Sequence, residues 1–224
     1  MRTRLALAVG LVLAAAAVRA GEVPGALLVV ESAPGTPGSD PTGAPPRFAL
    51  LRDGQAFVGG TWRVETVRLE KGELSALRKR VDAARKAVGR SSRLVLGEGG
   101  PLVRLRFPED PPVEVQLGSA PPAPGEEPDP VAALVADVLS FRHPGLVPYE
   151  PPGYALVLRE GALAGGCRPW NLATPFAEAK AGPLSVPADQ ALGWPTGALP
   201  GSVCGPDAKR YVLTLRPLLP GEQP

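Results

Sequence analysis

The chain has 224 residues, with 24 Lys and Arg against 22 Asp and Glu and a formal net charge of +2. Such balance gives no electrostatic reason for binding nucleic acid or acidic polymers, and a single histidine rules out a His-rich zinc site. Gly and Pro together make 56 residues, clustered between periodic apolar runs, which points to Pro-rich loops on a folded frame.

Residues 1–20 read as a secretory signal peptide. Arg2 and Arg4 form the basic start, residues 5–18 are apolar, and Val18-Arg19-Ala20 supplies small residues at the cleavage position. An uncleaved anchor is the alternative reading. The segment carries Arg2, Arg4 and Arg19, so the mature chain holds 21 basic and 22 acidic residues. No later apolar run is long enough to cross a bilayer, so no membrane span is expected after cleavage.

Residues 26–31 (ALLVVE) read as the first strand, followed by a Pro-rich loop through Pro46. At residues 48–57, Asp53-Gly54 between two apolar runs predicts a two-residue hairpin turn. That turn pairs Leu50 with Phe57 and puts Phe48, Leu50 and Phe57 on one face. Residues 61–69 alternate with a change of parity, Trp62 and Val64 against Val67 and Leu69, which predicts a bulge near Glu65-Thr66. Leu74, Leu77, Val81, Ala84 and Val88 recur at helical spacing, and Gly89 suits the helix end. Arg78, Lys79, Arg80, Arg85 and Lys86 read as the solvated outer face of that helix.

Residues 94–96 are a short strand candidate. Val103, Leu105 and Phe107 alternate with Arg104 and Arg106, residues 108–111 turn the chain, and Val113, Val115 and Leu117 alternate on the return. After a second Pro-rich link at 119–127, Asp129-Pro130 opens a second helix, with Val131, Leu134, Val135, Val138 and Phe141 as its stripe and His143-Pro144-Gly145 as its end. The expected class is α+β: an antiparallel sheet with two helices packed on one face, over residues 21–147.

Residues 148–224 read as a Pro/Gly-rich, strand-poor lobe, or as the end of one continuous domain. Strands are expected at 154–158 and 211–215, with Trp170, Phe176, Leu184, Val186, Leu192 and Trp194 as anchors of the loops between. Cys167 and Cys204 are the only cysteines. An even count in an exported chain predicts one disulfide, and the absence of Cys-x-x-Cys argues against a redox pair. Trp170 and Trp194 each stand near a proline. They read either as partner contacts or as the small core of this lobe.

No catalytic constellation emerges. A Ser-His-Asp triad would need His143, and no Gly-x-Ser-x-Gly run supports one. Glu109, Asp110, Glu126, Glu127 and Asp129 lie in Pro-rich turns, where acids are ordinarily solvated or capping; a hydrolytic acid pair is the sharper alternative. Gly97-Glu98-Gly99-Gly100 lacks the Lys and Ser/Thr of a phosphate loop, and no cofactor or metal is implied.

Gly193-Trp194-Pro195, Cys204-Gly205 and the ending YVLTLRPLLPGE at 211–222 resemble an uncharacterised group of bacterial secreted or lipid-anchored proteins. Members of that group end in a similar Arg-Pro-Leu-Leu-Pro-Asp-Glu run; Gly221 stands here in place of the Asp, and the leader has no lipid-anchor cysteine. The resemblance implies no activity. The functional expectation is an exported envelope protein, periplasmic or extracellular, that binds an envelope protein or a cell-surface polymer without catalysis. A cell-envelope hydrolase with acidic catalysts is the alternative.

Overall fold

The computed structural model describes residues 22–32, 46–59, 63–119, 127–194 and 201–224. The expected signal peptide, Trp62, Glu126 and most of both Pro-rich links lie outside the described residues. The chain is a mixed α/β protein rich in strands, with two sheets and three α-helices among the described residues. None of those helices is long and apolar enough to cross a membrane.

The first part runs β1 (Ala26–Ser32), β2 (Phe48–Leu51), β3 (Gln55–Gly59), β4 (Val64–Arg68), α1 (Lys71–Val88), β5 (Arg93–Val95), β6 (Gly99–Arg106), β7 (Val113–Gly118), α2 (Pro130–Leu139) and β8 (Val147–Pro148). These strands make one sheet in the order β5-β7-β6-β1-β2-β3-β4-β8. All its pairs are antiparallel except β5 with β7.

The hairpin register differs from the expectation by one residue. Leu50 pairs with Ala56 and Ala49 with Phe57. The loop therefore takes three residues, Arg52-Asp53-Gly54, with Gly54 at φ +90° and its N–H donating to the Leu51 carbonyl at 3.1 Å. Because side chains alternate with period two, a slip of one sends Phe57 to the face opposite Phe48 and Leu50. There its ring meets Tyr149 edge-on at 5.0 Å.

The bulge expected near Glu65-Thr66 is absent: β4 keeps one register against β3 from Val64 to Arg68. The parity change has another cause. Val67 packs on the helix side and Val64 on the opposite side, because this sheet buries both faces. On the helix side, Val81, Ala84 and Val88 of α1 and Leu134, Val135 and Val138 of α2 join Leu28, Leu50 and Leu105 in one cluster. On the other side, Val29, Ala49, Leu51 and Phe57 meet Val23 and Leu219 from near the two ends of the described chain.

The helix ends follow from local hydrogen bonding. Asp129 Oδ1 accepts from the Val131 and Ala132 N–H groups at 2.8 and 3.2 Å, which caps α2. Gly89 ends α1 at φ +59°. The second helix stops earlier than expected, at Leu139, where Ser140 Oγ donates back to the Ala136 carbonyl at 2.6 Å. His143 thus lies beyond the helix, not in its last turn.

The C-terminal part is not strand-poor. It contains β9 (Gly153–Glu160), β10 (Arg168–Pro169), α3 (Phe176–Ala181), β11 (Leu184–Pro187), a 3-10 turn at Ala188–Ala191, β12 (Gly201–Cys204) and β13 (Arg210–Pro217). They form a second sheet, ordered β10-β12-β13-β9-β11. Strands β9 and β13 pair from Tyr154 with Pro217 to Glu160 with Tyr211 and supply its frame. The other strands span two to four residues, two of them ending in proline, too short to show an alternating pattern. Leu156, Val186, Val203, Leu213 and Leu215 fill the core of this lobe. Leu192, expected as an anchor, is 78% exposed.

Candidate functional site

Cys167 and Cys204 form the disulfide, with Cα atoms 5.2 Å apart. It holds the two-residue edge strand β10 beside β12, where Pro169 pairs with Cys204. Trp194 is buried at 8% exposure in the lobe core. Trp170 is half-buried, meets Phe176 edge-on at 5.4 Å and donates its indole N–H to the Thr174 carbonyl at 2.9 Å. Phe176 in turn meets Tyr211 at 5.0 Å. Both tryptophans are thus assembled into the core of the stapled lobe, and Trp170 keeps the larger remaining surface.

The run that ends the chain has a structural task. Arg216 and Glu222 form an ion pair at 2.7 Å, with side chains only 7% and 2% exposed. Glu222 also accepts from the Leu219 N–H at 2.9 Å, and Tyr149 donates its hydroxyl to the Leu218 carbonyl at 3.1 Å. Burial, followed by the Glu222 charge, pushes the Tyr149 phenol up to about 12. Leu219 is thereby held against the helix-free face of the first sheet. Residues 216–222 hook the second sheet's last strand onto the first sheet.

A cleft of about 680 Å³ opens where the start of β1, the β2–β3 loop and the β6–β7 turn meet. Val23, Ala26, Val29 and Phe107 give it apolar wall; Arg52, Arg106, Glu22, Glu109 and Asp110 give it charge; Pro108 and Pro112 stiffen one side. Helix α1 braces both walls. Arg78 donates to the Arg52 carbonyl, while the Arg52 N–H donates to the Gly25 carbonyl at 2.8 Å. Seven residues on, and so on the same helix face, Arg85 grips the β6–β7 turn. Its Nε and one terminal nitrogen reach the two Asp110 oxygens at 2.6 and 3.1 Å, and that terminal nitrogen also reaches the Pro108 carbonyl at 3.0 Å. Arg78 and Arg85 are therefore not a freely solvated face, because each has an acceptor within reach on a neighbouring loop.

The charges of the cleft are unevenly engaged. The Arg85 guanidinium bonded to Asp110 holds that carboxyl below the usual carboxylate range. Arg106 donates through Nε to Glu31 at 3.0 Å; its pairing with Val29 sets it on the helix-free face. Glu109 sits at φ +66°, a conformation few non-glycine residues adopt. Among the described residues, the Arg52 guanidinium and the Glu109 carboxylate make no hydrogen bond or ion pair, although the Glu109 charge acts on the Arg85 guanidinium from a longer distance.

A smaller groove, about 400 Å³, lies between α1 and α2 and includes Leu77, Phe141, Glu73 and His143. His143 Nδ1 accepts from the Gly145 N–H at 2.9 Å, so Nε2 carries the proton and faces Glu73 Oε1 at 3.2 Å. The other Glu73 oxygen accepts from the Glu70 N–H at 2.8 Å at the start of α1. Both imidazole nitrogens thus have a partner within this groove. No group of three or more His, Cys, Asp or Glu among the described residues is placed to hold a metal ion.

Arg52, Arg106 and Glu109 were not legible as a site in the sequence. They come from three separated turns and strand ends, and the one signal was the charged Pro-Glu-Asp-Pro turn at 108–111. No family model, curated protein or solved structure matches the chain.

Proposed function

We propose that the protein is an exported envelope protein that binds a partner without transforming it, and that the cleft between β1, the β2–β3 loop and the β6–β7 turn is where it does so. One observation carries this reading: α1 braces both cleft walls through Arg78 and Arg85. Walls fixed before a ligand arrives reduce the entropy lost on binding. The disulfide supports an oxidising compartment. The partner is an envelope protein or a cell-surface polymer that presents a group small enough to enter the cleft.

The hydrolase reading gains nothing from Asp110. A general acid needs its pKa raised toward the working pH, and Arg85 lowers this one.

A photoreactive amino acid placed at Pro112, an exposed cleft residue, tests the proposal in living cells. Lys86, exposed on α1, serves as control. Envelope material should crosslink from position 112 and not from position 86. Equal crosslinking from both, or none from position 112, would contradict the cleft as the binding site.

A further inference from the structure

Resting on the cleft as the binding site, we infer that its ligand is a short peptide unit carrying both a free carboxylate and an ammonium group. Arg52 and Glu109 line the same cleft and are not paired with each other. An anion alone would meet the Glu109 carboxylate; a cation alone would meet the Arg52 guanidinium. A ligand with both charges satisfies both walls.

The chemistry of each group fits its share. The planar guanidinium of Arg52 presents a donor fork that matches a carboxylate. A carboxylate such as Glu109 accepts from an ammonium. Val23, Val29 and Phe107 contribute apolar atoms to the lining. A cleft of about 680 Å³ lies in the range of small-ligand sites and suits a unit of a few residues.

The conformation of Glu109 points the same way. Gly or Asn is the ordinary choice at φ +66°, and a glutamate there is strained. The strain is held in the free protein, because Arg85 binds the residues on both sides, the Pro108 carbonyl and the Asp110 carboxylate. The turn thus presents a carboxylate without further ordering when ligand enters.

The test uses protein purified after export with its disulfide intact. It is titrated with the dipeptide Ala-Ala, followed by amide shifts in NMR. The same titration is run with N-acetylated, C-amidated and doubly blocked Ala-Ala. The zwitterion should shift resonances around Arg52 and residues 107–112. Blocking either terminus should weaken binding about tenfold, the loss of one charge-assisted contact.

Arg52→Gln should abolish the penalty for amidation and keep that for acetylation. Glu109→Gln should do the reverse. Both residues are exposed, so neither change threatens the fold.

Equal binding of the doubly blocked dipeptide, or no shift at the cleft at saturating dipeptide, would overturn the inference. If either occurs while position 112 still crosslinks in cells, the ligand class fails and the cleft reading stands. If crosslinking also fails, both fall.

Discussion

Tyr211 donates its hydroxyl to Asp207 Oδ2 at 2.6 Å, and Lys180 Nζ lies 3.1 Å from the same oxygen. Led by the Tyr211 bond, these contacts lower the Asp207 pKa from 3.8 to about 2. A depressed carboxylate stabilises the fold above its unfolded pKa, and that contribution disappears as pH falls through the folded value. Melting temperature should therefore fall between about pH 4 and pH 2, and Asp207→Asn should flatten that slope relative to the parent. An unchanged slope would assign the acid limb to Asp53 and Asp110, whose carboxyls are also lowered, the first by the Gln55 N–H and the second by Arg85. At the other end of the chain's charge ladder stands the Arg216–Glu222 pair, which is almost wholly buried. Removing one member of a buried pair strands the other charge, so Glu222→Gln should cost about 3–5 kcal/mol in urea denaturation. Replacing both, Arg216→Met with Glu222→Leu, should recover part of that loss, because the desolvation cost goes with the charges while the Leu219 N–H loses its acceptor.

Among the elements, α1 and α2 were the most legible, whereas the six-residue α3 fell in a stretch read as loop. Five apolar residues at helical spacing marked α1, and Asp129-Pro130 marked the start of α2 to the residue. Strand registers were less so. Asp53-Gly54 can close a loop of two residues or, with Arg52, of three, and only packing decides. Phe57 gains a buried place against Tyr149 in the second arrangement. The parity break in β4 had the same root, since a sheet buried on both faces leaves no polar side to reveal the alternation. In the C-terminal lobe the cysteine count foretold the disulfide, but the short strands it ties together gave no pattern. That staple closes a loop with a sequence separation of 37 residues. Chain-entropy arguments give it about 3–4 kcal/mol. Cys167→Ser with Cys204→Ser should lower stability by that amount, and proteolysis should first cut near β10 and leave the first sheet intact. Cleavage starting in the first sheet would mean that the staple supports the whole molecule.

For the whole molecule, the two sheets are joined through the 216–222 hook and Tyr149, with Leu219 buried on the first sheet's helix-free face. On the opposite face of that sheet, α1 fastens the loops that shape the cleft. The cleft could not be read from sequence because its charged residues are far apart in the chain, and charges in turns are ordinarily solvated. Its assembly depends on the sheet order that sets β1 between β2 and β6. The most direct test of the cleft as the binding site is hydrogen exchange of the exported protein, alone and with fractionated envelope material. Peptides covering residues 23–29 and 107–112, with the β2–β3 loop, should exchange more slowly once the partner is present, while the groove between α1 and α2 stays unchanged. Protection centred on that groove or on the second sheet, with the cleft peptides unaffected, would contradict the assignment.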